Sequence, residues 1–226
     1  MKRLAFIVIA AAVIGCSSTP PPPDWAVNAQ GAMERSVSAY LAGNTRVAAL
    51  DLERARAEVA RTGAPARVAR LELVQCAAEV ASLVFTDCPA YQPLAPDAAE
   101  PEVAYARYLL AQATPADVPR LPEAQRGLVG ATPEQAAARM AVIADPLSRL
   151  VAAGVLLRSE RADPAVIQLA VDTASEQGWR RPLMAWLRVA VARAQTAGQT
   201  EEAARLQRRL ALLAPGAPAD ASTPAQ

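Results

Sequence analysis

The sequence predicts an all-α protein, and three observations carry that prediction. Alanine, leucine, arginine and glutamate dominate, and these are strong helix formers. β-branched and aromatic residues nowhere gather into alternating runs, and aromatics make up only 4% of a chain that is 53% apolar, so no sheet is expected. From Asp24 onward, apolar residues recur at helical spacing between glycine, proline, asparagine and aspartate punctuation.

The elements follow in order. A first helix is expected over Trp25 to Ala42, closed by Gly43-Asn44, and a second over Thr45 to Arg61. The second has an apolar line of Ala48, Leu52, Ala55 and Val59. Its other face is charged, with Arg46, Asp51, Glu53, Arg54, Arg56, Glu58 and Arg61, and reads as a solvated face supported by the i,i+4 pair Arg54 and Glu58. Thr62 to Pro65 ends that helix and opens a third, expected to reach about Val84. An irregular stretch, Thr86 to Glu100, precedes a fourth helix over Pro101 to about Ala113. A second irregular stretch, Thr114 to Ala131, has room for one helical turn. Thr132 to Gln135 has the form of a capping box with proline at the first helical position. Asp145-Pro146 and Asp163-Pro164 repeat an N-cap followed by proline, and the three helices so opened run to about Ala144, Arg161 and Gln177. Gly178 closes the last of these; Pro182 begins another helix to Ala197, Gly198 closes it, and Thr200 begins the final one, ending near Ala214, whose buried line is Ala203, Leu206, Leu210 and Leu213. The Pro/Ala/Ser/Thr-rich residues 215–226 read as a disordered tail.

Short connections between such helices imply stacked antiparallel αα-hairpins over residues 25–214. Two places resemble tetratricopeptide repeats. Gly43-Asn44 precedes the small-large-small line Ala48, Leu52 and Ala55. Trp186, Gly198, Ala203 and Pro215 fall near the spacings of a second repeat, although Gln207 stands where a large apolar residue belongs. The resemblance implies a TPR-like superhelix, with an irregular helical bundle as the alternative.

The N-terminus carries a separate signal. Lys2 and Arg3 precede an unbroken apolar run, Leu4 to Ile14, that fits a secretory signal over residues 1–15. Spanning a membrane would take ~20 apolar residues. The run ends in Val13-Ile14-Gly15-Cys16, which resembles the lipobox of bacterial lipoproteins. That resemblance implies cleavage before Cys16, acylation of Cys16, and a periplasmic protein anchored to the outer membrane by lipid, with Ser17 in place of a retaining aspartate. Residues 16–24 contain four consecutive prolines and read as an extended tether rising about 3.1 Å per residue.

Composition excludes much chemistry. There is no histidine, and the only lysine is Lys2. Imidazole bases, Ser-His-Asp and Cys-His arrangements, Schiff-base lysines and phosphate-loop lysines are therefore impossible. Removing residues 1–15 takes the formal charge from +1 to −1, which gives no support for nucleic-acid binding. No cofactor or metal is expected. Lytic transglycosylases pair alanine-rich helical domains with a Glu-Ser acid in a separate domain. This chain has no Glu-Ser dipeptide, so an enzyme is not expected.

With Cys16 committed to lipid, Cys76 and Cys88 form an even pair in an oxidising compartment, and a structural disulfide is the expected use. Redox chemistry lacks a CxxC spacing, and two thiolates without histidine make a poor zinc site. Tyr105 and Tyr108, at i,i+3, are candidates to line a groove or to pack. Trp179-Arg180-Arg181 either grips a carboxylate or forms a cation–π-decorated turn. Tyr91 sits in the irregular stretch expected to form the rim of a partner-binding face. The functional expectation is a scaffold or adaptor that binds another envelope protein or peptide through its helical surface. The alternative is a cell-wall glycan-binding or glycan-processing lipoprotein. Cys16→Ser is predicted to leave an unprocessed precursor that incorporates no labelled palmitate. Normal processing and labelling of that variant would remove the basis for the anchor.

Overall fold

The computed structural model describes residues 21–214. The expected signal peptide, Cys16, most of the expected tether and the expected tail at 215–226 lie outside the described residues. Within them the only regular elements are helices: α1 (Asp24–Ala42), α2 (Thr45–Ala60), α3 (Pro65–Ala81), α4 (Glu100–Leu109), α5 (Glu123–Arg126), α6 (Pro133–Ala141), α7 (Pro146–Arg158), α8 (Pro164–Glu176), α9 (Arg180–Thr196) and α10 (Thr200–Leu212). Two 3₁₀ segments, Gln92–Asp97 and Val118–Arg120, lie in the irregular stretches.

Helix ends explain most of the boundaries. Gly43 adopts a left-handed φ of 95°, which lets the Asn44 amide donate to the Ala39 carbonyl at 2.8 Å and close α1. The same closure recurs after α3, α4 and α7 at residues with no glycine to announce it. Leu83, Ala111 and Glu160 take φ of 60°, 59° and 58°, and the amides that follow them donate to Glu79, Arg107 and Leu156. These three helices therefore stop short of the expected Val84, Ala113 and Arg161. Asp145 and Asp163 cap as expected, accepting from the Ser148 and Val166 amides at 2.7 and 2.8 Å. The capping box at Thr132 does not form: the Thr132 side chain caps no amide.

Neighbouring helices pack as the expected hairpins in α1/α2, α8/α9 and α9/α10, and distant ones close the structure. Leu52, Ala55 and Val59 of α2 are buried against Ala29 and Ala32 of α1 and Leu71 of α3, and Ala48 packs with Ala39, Tyr40 and Leu41 of α1 and Ala78 of α3. The Ser36 hydroxyl donates to the Ala48 carbonyl across that hairpin at 2.8 Å. At the centre α3 lies on α7, and a Cβ added at Gly154 would sit 2.4 Å from the Val80 carbonyl oxygen. Trp186 is fully buried, and its indole donates from α9 to the Ala81 carbonyl at 3.1 Å. The α3–α7 and α1–α9 contacts join segments far apart in sequence, beyond a strictly neighbour-to-neighbour stack.

The charged face of α2 differs from expectation. Asp51 is 4% exposed, and Arg35 and Arg54 donate to it at 3.3 and 3.0 Å. Arg54 thus pairs with Asp51, not with Glu58. Arg56 reaches α3 and holds the buried Glu72 with two bonds of 2.5 and 2.6 Å, which push the already high Arg56 pKa further up.

Arginines also tie off backbone carbonyls across the bundle. Arg149 donates to Ile143 (3.0 and 2.7 Å) and Arg161 to Ala131 (3.0 Å); Arg180 reaches Leu213 (2.9 Å) and Arg181 reaches Tyr40 (2.7 Å). Each satisfies a carbonyl that has no place in a helical ladder or lies in a helix's last turn. Cys76 of α3 and Cys88 are joined as a disulfide with Cα atoms 5.5 Å apart, which pins the start of the 86–100 stretch to α3.

Two mid-helix glycines give opposite predictions. Gly31 of α1 meets only the far end of the Arg35 side chain, at 3.4 Å, so Gly31→Ala should stabilise by up to about 1 kcal/mol. Gly154→Ala drives a methyl into the backbone of α3 and should destabilise by about 1–3 kcal/mol or more. Thermal unfolding followed by circular dichroism separates the two. A neutral Gly154→Ala would contradict the close crossing.

Candidate functional site

Two open hollows meet on either side of Val74, which projects from α3 one turn after Arg70. The first, about 470 Å³, lies between α3, the start of α4 and the turn at Arg120 to Pro122. Leu73, Val74, Pro101, Leu121 and Pro122 give it apolar walls, and Tyr105 forms part of its lining. Arg70 stands exposed at the mouth with no ion pair among the described residues, whereas Arg120 is held by Glu100 at 2.6 Å.

The second hollow, about 440 Å³, runs along one face of α1. Met33, Val37 and Leu41 follow each other at one-turn spacing there, so this side of the hollow is about 12 Å long at 1.5 Å per residue. Leu147 of α7 and the half-buried Trp179 form the opposite wall. Its charged lining residues are Glu34 and Asp145, and no arginine lines it.

Of the sequence-predicted site residues, these hollows take in Tyr105 and Trp179. Tyr105 stacks on Tyr108, with ring centroids 6.2 Å apart and planes at 11°. Tyr108 is buried in the core, and its hydroxyl donates to the Gln125 side-chain oxygen at 2.6 Å; Gln125 in turn donates to the Ser148 carbonyl at 3.1 Å. Burial pushes the Tyr105 phenol pKa up, and the Asp145 charge adds to the shift. Burial raises the Tyr108 pKa too, with Tyr105 contributing and Arg161 opposing. Tyr91 is buried at 5% exposure and lines neither hollow, and the 86–100 stretch is not their rim. Arg158 instead holds that stretch against α7 through the Thr86 carbonyl and Asp87.

The turn at 179–181 adopts the cation–π alternative. Arg181 lies 4.2 Å from the Tyr40 ring centroid and donates to the Tyr40 carbonyl and the Thr45 hydroxyl. Arg180 donates through Nε to the Leu213 carbonyl at 2.9 Å. Sequence reasoning missed Arg70, Val74, Glu34 and Asp145. The signal present in the sequence was the second apolar line of α1, Met33-Val37-Leu41, offset from the line that faces α2.

A wider depression at the α9–α10 turn is formed by that turn and the start of α10, and its Glu202 and Arg205 already pair with each other. Among the described residues no group of three or more cysteine, aspartate or glutamate side chains is placed to hold a metal ion, and no helix is long and apolar enough to cross a membrane. Comparison with protein-family models, with curated proteins and with solved structures found no match.

All four tyrosines, Tyr40, Tyr91, Tyr105 and Tyr108, have raised pKa values with burial as the largest cause. The fold therefore favours the neutral phenol. That stability is fully present below the unfolded pKa of about 10 and is lost as pH rises toward the folded values. Phenolate absorbance should appear above about pH 10 together with loss of helical ellipticity, but near pH 10 without cooperativity in denaturant. Phenolate formation near pH 10 in the helical protein would contradict the burial of these rings.

Proposed function

We propose that this protein is a lipid-anchored periplasmic scaffold that holds another envelope protein against its helical surface. The observation that carries the reading is the Val13-Ile14-Gly15-Cys16 motif, behind a charged start and an apolar run and ahead of a proline-rich tether. The helical domain adds support. Its hollows offer apolar walls with isolated charges at their mouths, a combination suited to seating a segment of another protein. A chain without histidine and with its carboxylates largely on helix faces and caps favours binding over catalysis. The TPR-like resemblance points the same way, because stacked hairpins present extended binding surfaces.

Affinity purification of the tagged full-length protein from detergent-solubilised envelopes tests the reading. The expected outcome is stoichiometric recovery of at least one envelope protein, membrane fractionation that depends on Cys16, and no release of fragments from purified peptidoglycan. Release of muropeptides by the purified protein would shift the assignment to glycan processing.

A further inference from the structure

We infer that the hollow between α1, α7 and Trp179 is the seat for a basic residue, arginine or lysine, carried on an apolar segment of the bound envelope protein. This rests on the scaffold reading and specifies where on the surface the partner lies. The walls are apolar and adaptable: Met33, Val37 and Leu41 from α1, Leu147 from α7 and the half-buried indole of Trp179. Methionine and tryptophan both accept the aliphatic stem of a long cationic side chain, and an indole face attracts the cation itself.

The charge of the hollow has one sign. Glu34 and Asp145 line it, neither is in an ion pair among the described residues, and no guanidinium borders it, although arginine is abundant in the chain. Asp145 spends one oxygen, Oδ2, on the Ser148 amide, and Glu34 accepts from Gln30 at its outer edge. Both carboxylates retain acceptor capacity toward the hollow's occupant. An acidic segment or an anionic lipid headgroup would meet two like charges there. A basic side chain would instead meet opposite charge over an apolar floor. The α1 wall is about 12 Å long, which accommodates three or four residues of extended chain in all, the seated cation among them, at about 3.3 Å per residue.

The test places photo-crosslinking p-benzoylphenylalanine at Ser38, an exposed lining position, in the full-length protein in cells. A control carries it at Leu50, on the exposed side of α2. The expected result is a crosslink from Ser38 whose mapped partner segment carries arginine or lysine within about three residues of the attachment. Yield should fall about tenfold in the Glu34→Gln, Asp145→Asn double variant. Asparagine is as good an N-cap as aspartate, so α7 should stay closed and the variant's thermal unfolding near that of the parent. A crosslinked segment without a cation, or an undiminished yield from the neutralised variant, would overturn the inference. A crosslink from Leu50 with none from Ser38 would also overturn it while leaving the scaffold reading intact. Absence of any crosslink together with absence of any co-purifying protein would sink both.

Discussion

Gly154 allows α7 to lie against the bare backbone of α3, and the centre of the helical core is built on that contact. With no side chain at 154, the Val80 carbonyl takes the space a methyl would need, and Val80, Ala81, Ala152 and Ala153 pack there without solvent exposure. A crossing this close fixes two helices that are separated by the whole middle of the chain. Two buried polar links are then set by it. The Trp186 indole finds the Ala81 carbonyl only because α3 is held at that depth, and this orders α9. Gln125 reaches the Ser148 carbonyl of α7 while accepting from Tyr108, and this orders α4 and the short α5 beside it. Both hollows border the same α3 face, so their shape depends on the same crossing.

The all-helical character and most of the element order were legible from composition and periodicity, because glycine and Asp-Pro punctuation marks the ends of α1, α8 and α9 and the starts of α7 and α8. The ends of α3, α4 and α7 were not. Leucine, alanine and glutamate occupy their left-handed positions, and these residue types do not announce that conformation. The solvated face of α2 was misjudged at Asp51 because burial there comes from arginines on α1 and α2 closing over a carboxylate, which no local pattern encodes. Cys76 and Cys88 were legible as a pair once the lipobox resemblance set Cys16 aside. The hollows were legible only in fragments. Tyr105 and Trp179 stood out as aromatics in a chain poor in them, but Arg70, Glu34 and Asp145 are charged residues among many. Only the packing of four helices gathers them.

The arginines that close carbonyls at Ile143, Ala131, Leu213 and Tyr40 have a consequence for how the fold meets acidity. A guanidinium never releases its proton in a protein, so none of these ties is lost by titration of its donor. The chain has no imidazole, its only ammonium side chain is Lys2, and its phenols are displaced upward by burial. Between the ordinary carboxylate range, about pH 4, and the phenols, above about pH 10, the chain offers only its α-amine and, where it is not acylated, the Cys16 thiol to exchange protons. Folded and unfolded states then bind the same number of protons across that interval, and the slope of stability against pH vanishes. Within that interval the described helices contain no side chain that could respond to a change of acidity outside, so their shape and charge stay as they are.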